Sequence, residues 1–140
     1  MKELIKEHIK ELIKGLKQWE KYEKIDKNKF LSDEDTQNMV MYGMLRTIQS
    51  MIDIGNDIIE IFNFEEPSTY KEIFEILKKH NIIDEELSEE LKKLAGFRNV
   101  LVHIYYDIDL NKVYEVLISG RNNIEKFLRI VLDLTEKYNI

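Results

Sequence analysis

The sequence predicts an all-α fold, an up-and-down bundle of four to five helices. Hydrophobic residues make up 44% and charged residues 34% of the chain, with one proline and five glycines. This balance favours long regular segments over turns or disorder. Apolar residues also recur three and four positions apart in several long stretches, which is the helical period. The 140 residues fit a single domain, residues 1–140, built around one core.

The first helix is predicted between Leu4 and Tyr22. Its apolar residues line one helical face: Ile5, Ile9, Leu12, Leu16 and Trp19. The rhythm breaks over residues 24–31, which predicts a loop. Ser32 and the acidic residues 33–35 then supply a capping side chain and negative charge suited to a helix N-terminus.

A second helix of about 30 residues is predicted to run through Phe62, with Pro67 preventing its continuation. Thr69 and Glu72 have the spacing of a capping box, which predicts a short third helix. Asn81 is a suitable C-terminal stop for that helix.

Two further caps predict the remaining helices. Asp84 is expected to begin a fourth helix, whose apolar residues repeat at heptad-like spacing as far as Ile108. Asp109 is expected to begin a fifth helix that continues to Leu134. The result is the predicted bundle.

Several classes of function are disfavoured by composition. The longest apolar runs fall well short of the roughly 20 residues that span a bilayer, and the charged N-terminus does not resemble a signal peptide, so a cytoplasmic protein is expected. The absence of cysteine excludes thiolate zinc sites and cysteine nucleophiles. The scattered glycines form no phosphate-binding loop, and no cofactor is predicted.

No metal site is predicted either. Asp53 and Asp57 lie four residues apart, but no histidine accompanies them in the sequence. His8 and His80 lie among charged residues or at a helix end and are interpreted as solvated or capping groups. The net charge of −6 argues against a broad electrostatic surface for nucleic acid, so any positive charge for RNA must be local.

The segment from Gly96 to Tyr106 is the one whose side chains indicate a catalytic site. It combines Arg98, one of four arginines, with His103, one of three histidines. If the fourth helix continues through this segment, the two side chains lie about 140° apart around its outer side. Val102 also lies on that outer arc, and an apolar residue there suggests a partner surface. A symmetric homodimer would place Arg98 and His103 of both subunits in one cleft.

Such a cleft suits metal-independent cleavage of RNA by attack of a ribose 2′-hydroxyl on the adjacent phosphorus. His103 would move protons and Arg98 would bind phosphate oxygens. Asn99, four residues before His103, would orient the imidazole or bind substrate. From spacing alone, however, a surface pair or a helix cap is the more common explanation of an arginine and a histidine five residues apart.

Residues 98–105 contain an R-x4-H-x-Y pattern that resembles the signature of HepT-like HEPN proteins, the toxin half of the HepT and MntA toxin–antitoxin pair. The resemblance includes Asn99 directly after the arginine. It extends to residues 51–59 on the long helix and to the turn at residues 67–70. It covers roughly residues 33 to 135 in all, and the first 31 residues are compatible with it.

The resemblance implies a helical HEPN bundle, a homodimer with the R-x4-H motif in its cleft, and ribonuclease activity toward tRNA or mRNA. It also implies a minimal nucleotidyltransferase antitoxin as partner, which inactivates the toxin by adenylylating Tyr105. Tyr106 is adjacent and chemically equivalent, so chemistry alone does not choose between the two. The alternative is a noncatalytic helical module that binds a minimal nucleotidyltransferase and helps it hold substrate, an interpretation that the acidic balance supports.

Overall fold

Seven α-helices and no strand form the part of the chain that the computed structural model describes, residues 2–103 and 107–140. The helices are α1 (Lys2–Tyr22), α2 (Lys27–Ser32), α3 (Glu34–Ile61), α4 (Tyr70–Lys79), α5 (Glu85–Val102), α6 (Leu110–Ser119) and α7 (Arg121–Lys137). The predicted all-α class is confirmed. The structure differs from the prediction in the short α2, in the end of α5, and in the division of the predicted fifth helix into α6 and α7.

Three of the predicted N-caps begin helices in the structure. The Thr69 hydroxyl accepts a hydrogen bond from the Glu72 amide at 3.1 Å, and the Asp84 carboxylate accepts one from the Leu87 amide at 2.8 Å. Asp109 accepts from the amides two and three residues later, at 3.0 and 3.3 Å. Each cap satisfies amides that have no partner within the helix, so these local signals were sufficient to locate α4, α5 and α6.

Two asparagines in the left-handed conformation terminate α3 and α4. Asn63 has a φ of 54° and Asn81 a φ of 61°. In both cases the next amide donates to the carbonyl five residues earlier, at 2.9 Å, which is the Schellman arrangement. The predicted stop at Asn81 is confirmed. The long helix ends before Pro67 is reached, because Asn63 has already turned the chain.

The long helix α3 occupies the centre of the bundle and packs against α1, α4 and α5. It approaches α1 closely at Gly15, where an added Cβ would lie 2.3 Å from Thr47 Oγ1. Beside this contact, Arg46 of α3 donates two hydrogen bonds to the Glu11 carboxylate of α1, at 2.9 and 3.0 Å. A side chain larger than hydrogen at Gly15 would therefore push the two helices apart.

The short helix α2 replaces part of the predicted loop at residues 24–31. Asp26 caps it by accepting from the Lys29 amide at 3.2 Å. Phe30 is fully buried, and its ring centroid lies 5.7 Å from that of Tyr114. One buried aromatic residue anchors the helix. Its two apolar residues, Phe30 and Leu31, are adjacent and cannot produce the periodicity from which a helix is predicted.

The predicted fifth helix is interrupted at Gly120, and the cause lies in α1. The Trp19 indole donates to the Leu117 carbonyl at 2.7 Å, the group that the Arg121 amide would use in a continuous helix. A Cβ at Gly120 would lie 3.1 Å from the Trp19 ring. Arg121 in turn donates two hydrogen bonds of 2.8 Å to Glu23, and this contact lowers the pKa of the Glu23 carboxyl. The N-terminal helix therefore defines the corner between α6 and α7.

Charged side chains cover the outer faces of the helices. Exposed pairs three residues apart, such as Glu7 with Lys10 at 3.5 Å and Glu90 with Lys93 at 3.3 Å, are spread over α1 and α5. In residues 2–103 and 107–140, no helix combines the length and the apolar character needed to cross a membrane.

Gly15→Ala is expected to lower the free energy of unfolding by about 1–3 kcal/mol, because the added methyl group would overlap Thr47 Oγ1. Helix propensity alone acts in the opposite direction, by roughly 1 kcal/mol in favour of alanine. Urea unfolding followed by circular dichroism measures the difference. The double variant Gly15→Ala/Thr47→Ala, which lacks the hydroxyl, should recover part of the loss. A single variant as stable as the wild type would contradict the close approach of α1 and α3.

Candidate active site

Helix α5 carries Arg98 and Asn99, and His103 directly follows its last residue. It buries Leu94, Phe97 and Leu101 against the core, which leaves Arg98 half-buried and Asn99 exposed. His103 is the exposed C-terminal cap of the helix, and its amide donates to a carbonyl three residues earlier at 3.3 Å.

The predicted continuation of this helix to Ile108 is wrong, because α5 ends at Val102 and residues 107–109 are not helical. The β-branched residues near its end lower helix propensity, and the Asp109 cap requires the chain to turn first. The predicted angle between Arg98 and His103 assumed a helix that continues past His103, which is instead its C-terminal cap. Residues 104–106, with both candidate tyrosines, lie outside the described residues.

The Arg98 guanidinium is held by contacts with three side chains from three elements. Its Nε donates to Gln49 Oε1 of α3 at 2.9 Å, and one Nη donates to Asn99 Oδ1 at 3.4 Å. Its central carbon lies 5.1 Å from the centroid of the Tyr70 ring at the start of α4. Within the described residues, the second Nη makes no hydrogen bond, so part of the guanidinium fork is available to an anion.

A chain of polar side chains extends from Arg98 to the N-terminal helix. Gln49 donates from its amide nitrogen to Asp53 Oδ1 at 2.9 Å. Asp53 Oδ2 lies 3.9 Å from Nε2 of His8, whose Nδ1 lies 2.5 Å from Asp57 Oδ2. The interpretation of His8 as a solvated group without a role was wrong, because folding brings it between two aspartates that are 45 and 49 residues away in sequence.

Asp57 is almost completely buried, with 5% of its surface exposed. Burial raises the pKa of its carboxyl, and the hydrogen bond from His8 acts in the opposite direction. The ionised carboxylate is thus costly at this position, and His8 offsets part of that cost. This pair joins α1 to the same face of α3 that holds Arg98.

An open cleft of about 470 Å³ lies beside Arg98, between α3, α5 and the segment that leads into α4. Ten residues line it: Gln49, Ile52, Asp53, Asn56, Pro67, Ser68, Thr69, Tyr70, Ile73 and Asn99. Its volume is within the range of small-molecule sites. The cleft was not predicted, although polar residues at positions 49, 53 and 56 share one face of α3, a signal in the sequence that an apolar core helix does not require.

A family model described as "Ribonuclease HepT-like" matches residues 3–131. The chain belongs to this family. An "mRNA nuclease HepT" of Shewanella oneidensis is 30% identical over 106 residues, which cover 76% of this chain and 80% of that protein. A "tRNA nuclease HepT" of Aphanizomenon flos-aquae is 35% identical over 95 residues, 67% of this chain and 64% of that protein.

Solved structures support the HepT-like family assignment at the level of the whole fold. The tri-AMPylated HEPN toxin of Shewanella oneidensis, solved in complex with an MNT antitoxin, superposes with a TM-score of 0.84 and 27% sequence identity. The match covers 95% of this chain and 99% of that toxin. The resemblance to HepT-like HEPN toxins and the predicted helical HEPN fold are confirmed.

His8→Ala is expected to lower the free energy of unfolding at pH 7 by about 1–3 kcal/mol, because it leaves the Asp57 carboxylate buried without its partner. The pKa of Asp57 is raised. The cost of ionisation is therefore absent below the ordinary carboxyl pKa, grows as the pH rises above it, and is complete above the raised value. The deficit of the variant should shrink between pH 7 and about pH 4.

Denaturant unfolding of wild type and variant at both pH values measures this deficit. Adding Asp57→Asn to His8→Ala removes the unpaired charge and should restore stability at pH 7. Equal deficits at both pH values would contradict an electrostatic role for the pair.

Proposed function

We propose that this chain is the toxin of a toxin–antitoxin pair of the HepT and MntA type and that it cleaves RNA without a metal ion. Arg98 and His103 are the proposed catalytic residues, and Asn99 supports them. The working unit is a homodimer in which the two R-x4-H motifs face one cleft. The substrate class is tRNA or mRNA, the two classes named for the Aphanizomenon and Shewanella relatives.

The observation that carries the proposal is the position of Arg98 in a member of the HepT-like ribonuclease family. Arg98 contacts three residues that line the cleft, namely Gln49, Tyr70 and Asn99. Its guanidinium is fixed in place, and among the described residues its second Nη has no hydrogen-bond partner. A fixed cation beside an open cleft suits binding of a phosphate whose charge increases in the transition state.

The proposed reaction is an internal transfer at phosphorus. His103 accepts the proton of a ribose 2′-hydroxyl as the O2′–P bond forms, and the P–O5′ bond breaks. A proton is delivered to the departing O5′, which leaves a 2′,3′-cyclic phosphate and a 5′-hydroxyl. Arg98 stabilises the negative charge on the phosphorane oxygens. In a symmetric dimer, the second histidine is supplied by the other subunit, so that one accepts a proton while the other donates one.

Apolar surface near the motif supports dimerisation through α5. Val100 is 45% exposed, and Val102 is half-buried beside the terminal His103. Two β-branched residues that are exposed or half-buried, beside the proposed catalytic groups, suit an interface between two copies.

The proposed partner is a minimal nucleotidyltransferase that inactivates the toxin by attaching adenylate to Tyr105. The support is the tyrosine two residues after His103 and the AMPylated state of the Shewanella toxin in its antitoxin complex. An added nucleotide is bulky and anionic, so it would block a cleft that binds RNA phosphate.

His103→Ala is expected to lower kcat/KM for RNA cleavage about 10²–10⁴-fold, because it removes the proton-transferring group. Arg98→Ala is expected to lower it about 10²–10³-fold through loss of charge stabilisation. Cleavage of total tRNA and of an mRNA by the purified proteins in excess chelator measures both effects. The wild type should retain its activity in the chelator.

His80→Ala and Arg129→Ala are matched controls, since they remove a histidine from the end of α4 and an exposed arginine from α7. Circular dichroism of all four variants should match the wild type. Full activity of His103→Ala or Arg98→Ala would remove the mechanism. A wild type that binds a nucleotidyltransferase but cleaves no RNA would favour the noncatalytic module instead.

Co-expression with a partner nucleotidyltransferase is expected to raise the intact mass by one or more adenylate units, attached to Tyr105. Tyr105→Phe lacks the accepting hydroxyl and should remain an active nuclease that this partner cannot silence by modification. Tyr106→Phe is the matched control and should still be modified. Peptide mass spectrometry locates the adenylate. Its presence only on Tyr106, or on no tyrosine, would refute the assignment.

A further inference from the structure

The cleft beside Arg98 contains two asparagine side chains whose hydrogen-bonding capacity is only partly used. Asn56 of α3 has one hydrogen bond, from its amide nitrogen to Glu60 at 3.5 Å, and its carbonyl oxygen has no partner among the described residues. Asn99 accepts from Arg98 through its oxygen, which leaves its amide nitrogen without a partner there. These groups are placed to bind a ligand, because they line the cleft.

The α3 wall of the cleft is rich in hydrogen-bond acceptors. Asp53 presents a carboxylate, of which Oδ1 already accepts from Gln49. The unused oxygen of Asn56 lies one helical turn further along the same face. Asn99 on α5 adds a donor. Acceptors on one side and a donor on another suit a planar ligand that carries an amino group and a ring nitrogen.

Tyr70 provides an aromatic surface at the mouth of this cleft. Its side chain is 39% exposed, and the Arg98 guanidinium lies 5.1 Å from its ring centroid. Nucleobases stack on exposed aromatic side chains, and in a nucleotide the base and the phosphate are joined through one sugar. A base packed against Tyr70 would therefore bring its own phosphate within reach of Arg98.

We propose that the cleft is a nucleobase subsite for the RNA nucleotide beside the cleaved phosphate. It selects a base with an exocyclic amino group, namely adenine, cytosine or guanine. Asp53 and Asn56 would accept hydrogen bonds from the amino group, whereas uracil would present a carbonyl oxygen to the same acceptors. This inference rests on the proposed ribonuclease function and adds the substrate preference of its site.

The first arm of the test measures base preference during cleavage. Wild-type protein is incubated with an RNA pool of random sequence, and the cleaved ends are sequenced. Uracil should be depleted at one position next to the cut. Asn56→Ala should weaken this depletion about fivefold, the effect of one hydrogen bond. Asn38→Ala, an exposed position of α3 outside the cleft, is the matched control.

The second arm measures binding without cleavage. Together with the first arm, it distinguishes a cleft that binds a base of RNA from one that binds the base of an adenylate. Titration of ¹⁵N-labelled protein with AMP should shift the side-chain amide signals of Asn56 and Asn99, and UMP should shift them less. Tyr70→Leu should weaken AMP binding about tenfold through loss of stacking.

The subsite is overturned if the wild type and Asn56→Ala show the same base distribution next to the cut and AMP causes no shift of the amide signals. Binding of AMP without any base preference in cleavage assigns the cleft to an adenylate and overturns its role in RNA recognition. A wild type that cleaves no RNA overturns the proposed function and this role with it, and the AMP titration still reports whether the cleft binds a nucleobase.

Discussion

Close packing around α3 is the constraint on which the rest of the structure depends. α1 approaches it at Gly15, and α4 approaches it at Gly55, where an added Cβ would lie 2.6 Å from Ile73. With neighbours this near, the helix has little freedom to rotate or slide, because protein interiors are packed without space to spare. The polar residues Gln49 and Asp53 are half-buried and lie on one face of the same helix. The geometry at Arg98 is therefore determined by the packing of the bundle as well as by the motif on α5.

The polar chain behind Arg98 explains how an acidic protein can present a defined positive group. The net charge is −6, so general attraction of nucleic acid is weak. Arg98 is instead held by Gln49, which is oriented by Asp53. A site of this kind relies on a few directed contacts with the ligand. In the proposed ribonuclease, such contacts would bind RNA at one site without an extended basic surface.

Local signals in the sequence were sufficient for most helix starts and for the motif, and long-range contacts account for the remainder. The caps Asp84 and Asp109 act within one helical turn, so they can be recognised from neighbouring residues. The association of His8 with Asp57 joins residues 49 positions apart, and no local pattern indicates it. The same holds for the cleft, whose walls come from three helices. The motif pointed to Arg98, but its partners on α3 and α4 became evident only in the fold.

The hydrogen bond between Trp19 and Leu117 has a consequence for the order in which the chain is made. Its two partners are 98 residues apart, and ribosomes add about 5–20 residues per second. The N-terminal helix is therefore synthesised roughly 5–20 s before the carbonyl that its indole will bind. During that interval the indole can be covered only by segments that have already been made. The first long helix synthesised after α1 is α3. The corner between α6 and α7 can therefore form only after the segment around Leu117 has been made and has met α1.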